Sequence, residues 1–246
     1  MIRLRRTVLY VPADKPRALE KAAGLLADAV IIDLEDAVSP DNKDAARAAA
    51  VTAAGAIAAS GKEVAIRING IDTPWYNADI TEVRRASISA LVLPKVKGAM
   101  DVKRVALRSG LCVWPMLETP QAVLDAKAVA EAAATTGPSA LILGTNDLCA
   151  DVGFAETPGR EALALTFQLV ALAARAAGVD AIDGVLNVID DDERLREEAQ
   201  QVQRLGFAGK TVIHPAQVRT VNQVFSPRQE AIEAAEELGW DVVLKA

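Results

Sequence analysis

The sequence is poor in the residues that build zinc sites and nucleic-acid surfaces. Its 246 residues include one histidine, two cysteines and 4% aromatic residues. A closed zinc site needs several Cys or His ligands, so a zinc centre is not expected. The net charge of −6 provides no basic surface for phosphate groups. Nucleic acids and anionic membranes are therefore not expected as partners.

Long apolar runs are absent as well. No window approaches the roughly 20 apolar residues that a membrane-spanning helix requires. Residues 1–15 are partly basic but lack the apolar centre of a secretion signal. Cys112 and Cys149 lie in apolar runs without metal-ligand spacing, so we interpret both as reduced thiols of the core. These features predict a cytoplasmic protein that is not exported.

The apolar residues that are present form short runs that alternate with Ala-rich helical patterns. The strand candidates are TVLYVP, AVIIDLE, EVAIRIN, ISALVLPK, LCVWPMLE, SALILGTND, DAIDGVLN and GKTVIHP. Eight βα units in about 220 residues, with no flexible linker, favour one closed TIM (β/α)8 barrel, and an open doubly wound sheet is the alternative. The predicted single domain is 1–246, with the barrel over about 6–224 and a C-terminal helix over about 226–239.

Polar side chains gather where these candidate strands end, which is where barrel enzymes place their chemistry. They are Asp33, Glu35 and Asp36 after strand two, Arg67 and Asn69 after strand three, Lys95 after strand four, Glu118 after strand five, and Asn146 and Asp147 after strand six. A role at the start of a helix would explain a single acid such as Asp147. It does not explain Arg67 and Lys95 on neighbouring strands, so the set predicts an active site.

Glu118 and Asp147 follow adjacent strands and would repel each other unless they share a proton or a cation. Mg²⁺ commonly takes one or two carboxylates and leaves its other positions to water and substrate oxygens. We therefore predict a Mg²⁺ site at these two acids. The planar guanidinium of Arg67 suits a substrate carboxylate, which indicates an anionic oxo acid as ligand. His214, after the eighth candidate strand, is interpreted as structural.

Seven segments carry a family resemblance in chain order: RRTVLYVPADKPRALEKA, VIIDLEDAVSPDNKDAAR, VAIRING, LVLPKV, PMLETPQAV, LILGTNDL and GKTVIHPAQV. Together they resemble the citrate lyase β-subunit family, within the HpcH/HpaI aldolase and CoA-ester lyase group. The resemblance implies a TIM barrel that binds Mg²⁺, or Mn²⁺ as a substitute, through Glu118 and Asp147. It also implies that Arg67 holds the substrate carboxylate.

The same resemblance suggests further roles at the barrel mouth. Glu35 and Asp36 match acids that lie near the metal, acting through its water ligands or as acid and base. The loop with Asp14, Lys15 and Arg17 lies where relatives receive the thioester carrier.

The implied reaction is the cleavage or formation of a 3-hydroxy-acyl thioester, such as a citryl, malyl or citramalyl ester of CoA or acyl carrier protein. The products are an acyl thioester and a 2-oxo acid: oxaloacetate, glyoxylate or pyruvate. A loop or a neighbouring subunit is expected to donate the proton to the enolate. The family pattern further implies a homo-oligomer, a trimer or a hexamer, and the short C-terminus implies the form without a closing extension.

Three alternatives remain. A class II aldolase acting on free 2-oxo-acid aldols is disfavoured because such enzymes carry a His where this chain has Asp36. A non-catalytic scaffold subunit would not need Arg67, Glu118 and Asp147 together. Hydrolysis of the thioester at the same metal stays open.

Overall fold

Eight parallel strands close into a barrel in the computed structural model, which describes residues 3–154, 160–227 and 237. Each strand pairs with the next along the chain, and the last pairs with the first. The strands are β1 (Thr7–Pro12), β2 (Ala29–Asp33), β3 (Glu63–Arg67), β4 (Ala90–Leu93), β5 (Val113–Leu117), β6 (Ala140–Leu143), β7 (Asp180–Asp183) and β8 (Gly209–Val212). The predicted TIM barrel is confirmed, and every strand candidate contains one of these strands.

Helices surround the barrel and connect its strands. They are α1 (Pro16–Ala22), α2 (Lys43–Ala59), α3 (Tyr76–Val83), α4 (Ala99–Ser109), α5 (Pro120–Leu124), α6 (Ala126–Ala134), α7 (Thr145–Val152), α8 (Ala164–Ala177), α9 (Asp192–Gln203) and α10 (Pro215–Phe225). Short 3-10 turns precede α2 and α8. A C-terminal helix was predicted over about 226–239. Of that range the structure describes residues 226, 227 and 237, so the prediction lies largely outside the described residues. Within the part of the chain that is described, no helix is long and apolar enough to cross a bilayer.

Alternation along the strands explains how the barrel presents its polar residues. Every second strand residue faces the interior, where a small apolar layer includes Val8, Ala29, Ile31, Ala65, Ala90, Val92, Trp114, Met116, Ile142 and Ile182. The next position of the same parity is Tyr10 in β1, Asp33 in β2 and Arg67 in β3. Glu118, two residues after Met116, continues the same row just beyond β5. One strand periodicity therefore builds the apolar interior and aims the polar groups at the mouth.

The opposite end of the barrel is closed by Arg5. Its Nε lies 2.7 Å from Glu63 Oε2, and its Nη1 lies 2.8 Å from Asp180 Oδ2. Its guanidinium carbon lies 4.6 Å from the ring centroid of Trp114, which is fully buried in the interior. These contacts fill the bottom of the barrel, an end whose residues normally serve stability, and leave the other end for chemistry.

A buried ion network lies between the barrel and α9. Lys210 Nζ lies 2.7 Å from Asp183 Oδ2 and 3.1 Å from Glu198 Oε2. Arg160 Nη1 lies 2.9 Å from Asp183 Oδ2. Lys210 also donates to the carbonyl oxygen of Gly184, 2.7 Å away, which ties the end of β7 to β8. Since Lys210 and Asp183 are fully buried, each depends on its partners to offset the cost of desolvation.

Candidate active site

A cavity of about 390 Å³ opens at the carboxyl ends of the strands. Its lining brings together three predicted residues, Arg67, Glu118 and Asp147, and includes Asp36. Other lining residues include Tyr10, Asp33, Met116, Gly144, Asn146 and Asn187. Glu35 is buried beside this cavity and does not form part of its lining. Charged residues from several strand ends therefore converge on one pocket.

Glu118 is buried at the inner wall of the pocket, with 3% of the residue exposed. Its Oε1 accepts a hydrogen bond from the backbone N–H of Lys95, at 2.6 Å. Burial raises the pKa of Glu118 to about 7, and the negative charges of Glu35 and Asp147 add to that rise. The Lys95 N–H and the charge of Arg67 lower the pKa but do not reverse the shift. Glu118 therefore takes up a proton more readily than an ordinary glutamate, and a nearby cation would favour its charged form.

Gly144 makes room for this carboxyl group. It precedes α7, and a Cβ built at this position would lie 2.3 Å from Glu118 Oε2 and 2.5 Å from Glu118 Cβ. Real Cβ atoms do not approach other atoms so closely, so any larger residue would have to displace the carboxylate. The glycine after β6 is required by the acid after β5.

Asp147 stands in the first turn of α7, and 42% of its side chain is exposed. The N-cap residue of this helix is Gly144, which has no side chain to cap it. The free N–H groups of a helix start still favour a negative charge there. Asp147 therefore combines a position in a first turn with access to the pocket, where the Lys95 ammonium group lies 3.5 Å from its Oδ2.

Arg67 is held in place by Asp33 and Tyr10. Asp33 accepts from both Nε and Nη2 of Arg67, at 2.7 and 2.6 Å. The ring centroid of Tyr10 lies 5.0 Å from the guanidinium carbon. The remaining nitrogen, Nη1, lies 3.0 Å from Glu35 Oε2 and 3.7 Å from Asp36 Oδ2. Asp33 was predicted only as one of the strand-end acids, and Tyr10 had no predicted role, although both follow the interior parity of their strands.

Lys95 follows β4 and reaches across the mouth of the pocket. Its Nζ lies 2.9 Å from Glu35 Oε1, 3.6 Å from Asp36 Oδ1 and 3.5 Å from Asp147 Oδ2. Desolvation lowers the pKa of Lys95, but the hydrogen bond and the charge of Glu35 outweigh it, so the net shift is upward. The ammonium group stays charged among these acids.

The donor set fits a hard divalent cation rather than zinc. Among the described residues, no group of three or more His, Cys, Asp and Glu side chains is arranged to hold a metal ion. Glu118 and Asp147 instead offer two carboxylates, the number that Mg²⁺ often takes from a protein. Burial is the main cause of the raised pKa of Glu118, and the negative charges of Glu35 and Asp147 add to it, so a cation bound here would offset the cost of ionising this carboxyl group.

The predicted carrier loop lies between β1 and α1, at the same end of the barrel. Lys15 and Arg17 are exposed, and Lys15 Nζ lies 3.2 Å from Asp14 Oδ2. The loop begins directly after Pro12, which lines the pocket. A role for these residues in carrier binding remains a prediction.

Other polar residues of the strand ends serve the structure. The side-chain amide of Asn69 donates to Asp79 at 2.7 Å, so this group is engaged away from the pocket. His214 is the N-cap of α10, where its Nδ1 accepts from the backbone N–H of Ala216. This placement agrees with the structural interpretation of His214.

Comparison with known proteins matches this architecture. A sequence model described as HpcH/HpaI aldolase/citrate lyase matches residues 6–215. The protein belongs to this family. One relative in the HpcH/HpaI family is a (3S)-malyl-CoA thioesterase of Cereibacter sphaeroides, 45% identical over 231 residues. That alignment covers 94% of this chain and 80% of the relative.

Solved structures in the HpcH/HpaI family include a citrate lyase β subunit of Mycobacterium tuberculosis complexed with oxaloacetate and magnesium. It has a TM-score of 0.77 and 29% identity, and the match covers 91% of this chain and 98% of that chain. The protein CitE of the same organism, in complex with magnesium, acetoacetate and coenzyme A, has a TM-score of 0.78 and 29% identity. That match covers 96% of this chain and 86% of the other.

Proposed function

We propose that the protein is a Mg²⁺-dependent lyase that cleaves or forms the carbon–carbon bond of a 3-hydroxy-acyl thioester. The products of cleavage are an acyl thioester and a 2-oxo acid. The observation that carries this proposal is one pocket in which a fixed guanidinium, Arg67, faces the same space as Glu118 and Asp147. The malyl, citryl and citramalyl esters are the expected substrate class, and the related structures bind a 2-oxo acid, oxaloacetate, and coenzyme A.

Arg67 is suited to hold the carboxylate of the oxo-acid half. Its pairing with Asp33 fixes the plane of the guanidinium before any ligand arrives. Pre-organised charge of this kind costs no reorganisation when the substrate binds. The Nη1 edge remains for the substrate, in competition with Glu35.

Glu118 and Asp147 would hold the metal. Bound Mg²⁺ supplies a Lewis acid that stabilises negative charge on the substrate hydroxyl and carboxylate oxygens. Glu118 is positioned for this role by the Lys95 N–H on one side and the space above Gly144 on the other. Asp147 contributes from the more open side of the pocket.

Cleavage begins with loss of the hydroxyl proton, and Asp36 is the better placed of the two predicted acid–base residues. Its side chain is 58% exposed and lines the pocket, whereas Glu35 is buried and engaged by Arg67 and Lys95. As the C–O bond becomes C=O, the carbon–carbon bond breaks and its electrons form the thioester enolate. Protonation of the enolate carbon, by a loop or a neighbouring subunit, completes the acyl thioester.

Hydrolysis of the same thioester is the second candidate. The 45% identity to a (3S)-malyl-CoA thioesterase favours it. A pocket that anchors the hydroxy-acid part through Arg67 and a metal serves either reaction. The outcome depends on whether the carbon–carbon bond or the C–S bond breaks.

Product analysis separates the two reactions. The protein is incubated with Mg²⁺ and malyl-CoA, and then with the citryl and citramalyl esters. Cleavage of malyl-CoA yields acetyl-CoA and glyoxylate, whereas hydrolysis yields malate and free CoA. Only the products of carbon–carbon cleavage support the lyase. If none of the three esters is either cleaved or hydrolysed, the proposal is overturned.

The metal assignment has its own test. Glu118→Ala and Asp147→Ala should each abolish Mg²⁺ binding in calorimetry together with turnover, while the folded state persists. Asp151→Ala, an exposed acid one turn further along α7, is the matched control and should bind Mg²⁺ as the natural protein does. Unchanged Mg²⁺ affinity in Glu118→Ala would contradict the assignment.

The proposal also includes the carrier, the assembly and the location. CoA is the expected carrier, with acyl carrier protein as the alternative, and Lys15 and Arg17 offer exposed cations for its phosphates. A trimer or hexamer is expected, which light scattering can measure. No disulfide joins Cys112 and Cys149, in keeping with the expected cytoplasmic location.

A further inference from the structure

The backbone of Lys95 adopts an unusual conformation. Its φ is +53°, in the left-handed region that residues other than glycine seldom occupy. Two contacts hold the residue there: its N–H donates to Glu118 Oε1, and its Nζ donates to Glu35 Oε1 at 2.9 Å. Strain of this kind persists where surrounding contacts demand it, and here they are contacts to the acids of the pocket.

The Lys95 ammonium group lies among three carboxylates. Glu35, Asp36 and Asp147 all lie within 3.6 Å of its Nζ. Among the described residues, Lys95 is the cation that forms an ion pair with Asp147. Arg67, a cation that lines the pocket, is held by Asp33 and pairs with Glu35 and Asp36 instead.

We propose that Lys95 is the counter-ion of this acidic cluster in the metal-free protein, and that Mg²⁺ displaces its ammonium group from Asp147 on binding. The inference rests on the proposed function, because it takes Glu118 and Asp147 as the metal ligands. A cation bound to Asp147 would repel the ammonium group 3.5 Å away. The two positive charges therefore compete for one carboxylate.

The side chain of Lys95 has the freedom that displacement requires. It is 48% exposed, and a lysine has a flexible four-carbon stem. Its shortest contact is to Glu35, 0.6 Å closer than its contact to Asp147. The ammonium can therefore leave Asp147 and keep Glu35, while the backbone N–H continues to hold Glu118.

Mg²⁺ affinity is the first test, with Lys95→Met compared with Lys97→Met. Lys97 is the matched control, since its exposed ammonium pairs with Asp72, 2.9 Å away. Competition predicts that Lys95→Met binds Mg²⁺ at least about fivefold more tightly than the natural protein, the lower end of coupling between interacting sites. The metal-free form of Lys95→Met should also melt at a lower temperature, because its acids lose their counter-ion. Lys97→Met should match the natural protein in both measurements.

A second measurement needs no variant. Reductive methylation of the natural protein, followed by mass spectrometry, compares the rates of modification at Lys95 and Lys97 with and without Mg²⁺. Displacement predicts faster modification of Lys95 in Mg²⁺ and an unchanged rate at Lys97.

The outcomes separate this inference from the proposed function. If the natural protein binds Mg²⁺ but Lys95→Met binds it equally or more weakly, the counter-ion role is wrong and the metal site stands. An unchanged methylation rate at Lys95 would likewise overturn displacement alone. If the natural protein binds no Mg²⁺, both the proposed function and the displacement of Lys95 fail.

Discussion

The burial of Glu118 predicts that this carboxyl group, proposed to bind the metal, lowers the stability of the metal-free protein, and this effect can be measured directly. An ordinary glutamate has a pKa of 4.5, and burial raises the pKa of Glu118 to about 7. A carboxyl group whose pKa is higher in the folded state than in the unfolded state stabilises the fold most when it is protonated. This applies at pH values below its pKa in the unfolded state. That stability is lost as the pH rises through about 7. The metal-free protein should therefore become less stable as it is made more alkaline.

Replacement of Glu118 by Gln removes the ionisation and keeps the shape. At about 1.4 kcal/mol for each pKa unit, metal-free Glu118→Gln should exceed the natural protein in stability by about 3 kcal/mol near pH 8. The advantage should fall to about 1 kcal/mol near pH 5.5. For a chain of this size, 3 kcal/mol corresponds to a rise in Tm of roughly 6–12 °C.

The assay is chemical denaturation in a chelator at both pH values. Glu131→Gln, the same substitution at an exposed acid of α6, is the control and should change stability by less than about 0.5 kcal/mol. Added Mg²⁺ should stabilise the natural protein and leave Glu118→Gln unaffected. If Glu118→Gln is no more stable than the natural protein at the higher pH, the carboxyl group is not the poorly compensated buried charge described above.

Three further perturbations test other parts of the structure. Gly144→Ala should weaken Mg²⁺ binding by about tenfold or more, because the added methyl group would displace the Glu118 carboxylate. Gly55→Ala adds a methyl group in open space and should not change the affinity. Equal Mg²⁺ affinities of the two variants in calorimetry would contradict the Gly144–Glu118 contact. Lys210→Met should cost about 3–5 kcal/mol in denaturant unfolding, since it leaves buried carboxylates without their cation. The exposed Lys127→Met is its control, and similar losses in both would argue against the buried network. Arg67→Lys should raise KM for the thioester by about tenfold or more with metal affinity retained, and an unchanged KM would remove its substrate role.

The barrel could be predicted from the sequence because its strands are short apolar runs. Strands such as β2 and β6 are buried on both faces and lack the polar alternation of an exposed sheet. Their number and spacing were sufficient to predict closure into a barrel. The convergence of Arg67, Glu118 and Asp147 on one pocket followed from their positions at strand ends.

The supporting contacts could not be predicted in the same way. Asp33 was recognised as a strand-end acid, but its bidentate pairing with Arg67 depends on the register of β2 against β3, which places the two residues side by side. Tyr10 carried a weaker signal, its interior parity in β1. Both residues act through a neighbouring strand, and local sequence patterns do not specify such neighbours.

The buried network of Lys210 was missed for a related reason. Asp183 and Lys210 lie within segments that were interpreted only as strands, and they meet because β7 and β8 pair at these residues. Glu198 joins them from α9, whose sequence DDDERLREEAQ is typical of an acidic helix start followed by a solvated face. The start of α9 has this character, since Asp191 caps it and further acids follow. Its inward side carries the buried acid, which depends on tertiary packing.

The single row of inward-facing residues also constrains how this protein can change during evolution. One residue inserted into or deleted from β5 before Trp114 would reverse the inward and outward faces of the strand, and Glu118 would point toward the helices. Substitution at the strand ends and variation in the loops that follow carry no such penalty. Relatives with different substrates are therefore expected to differ in length between the strands, and to keep the number of residues within each strand constant.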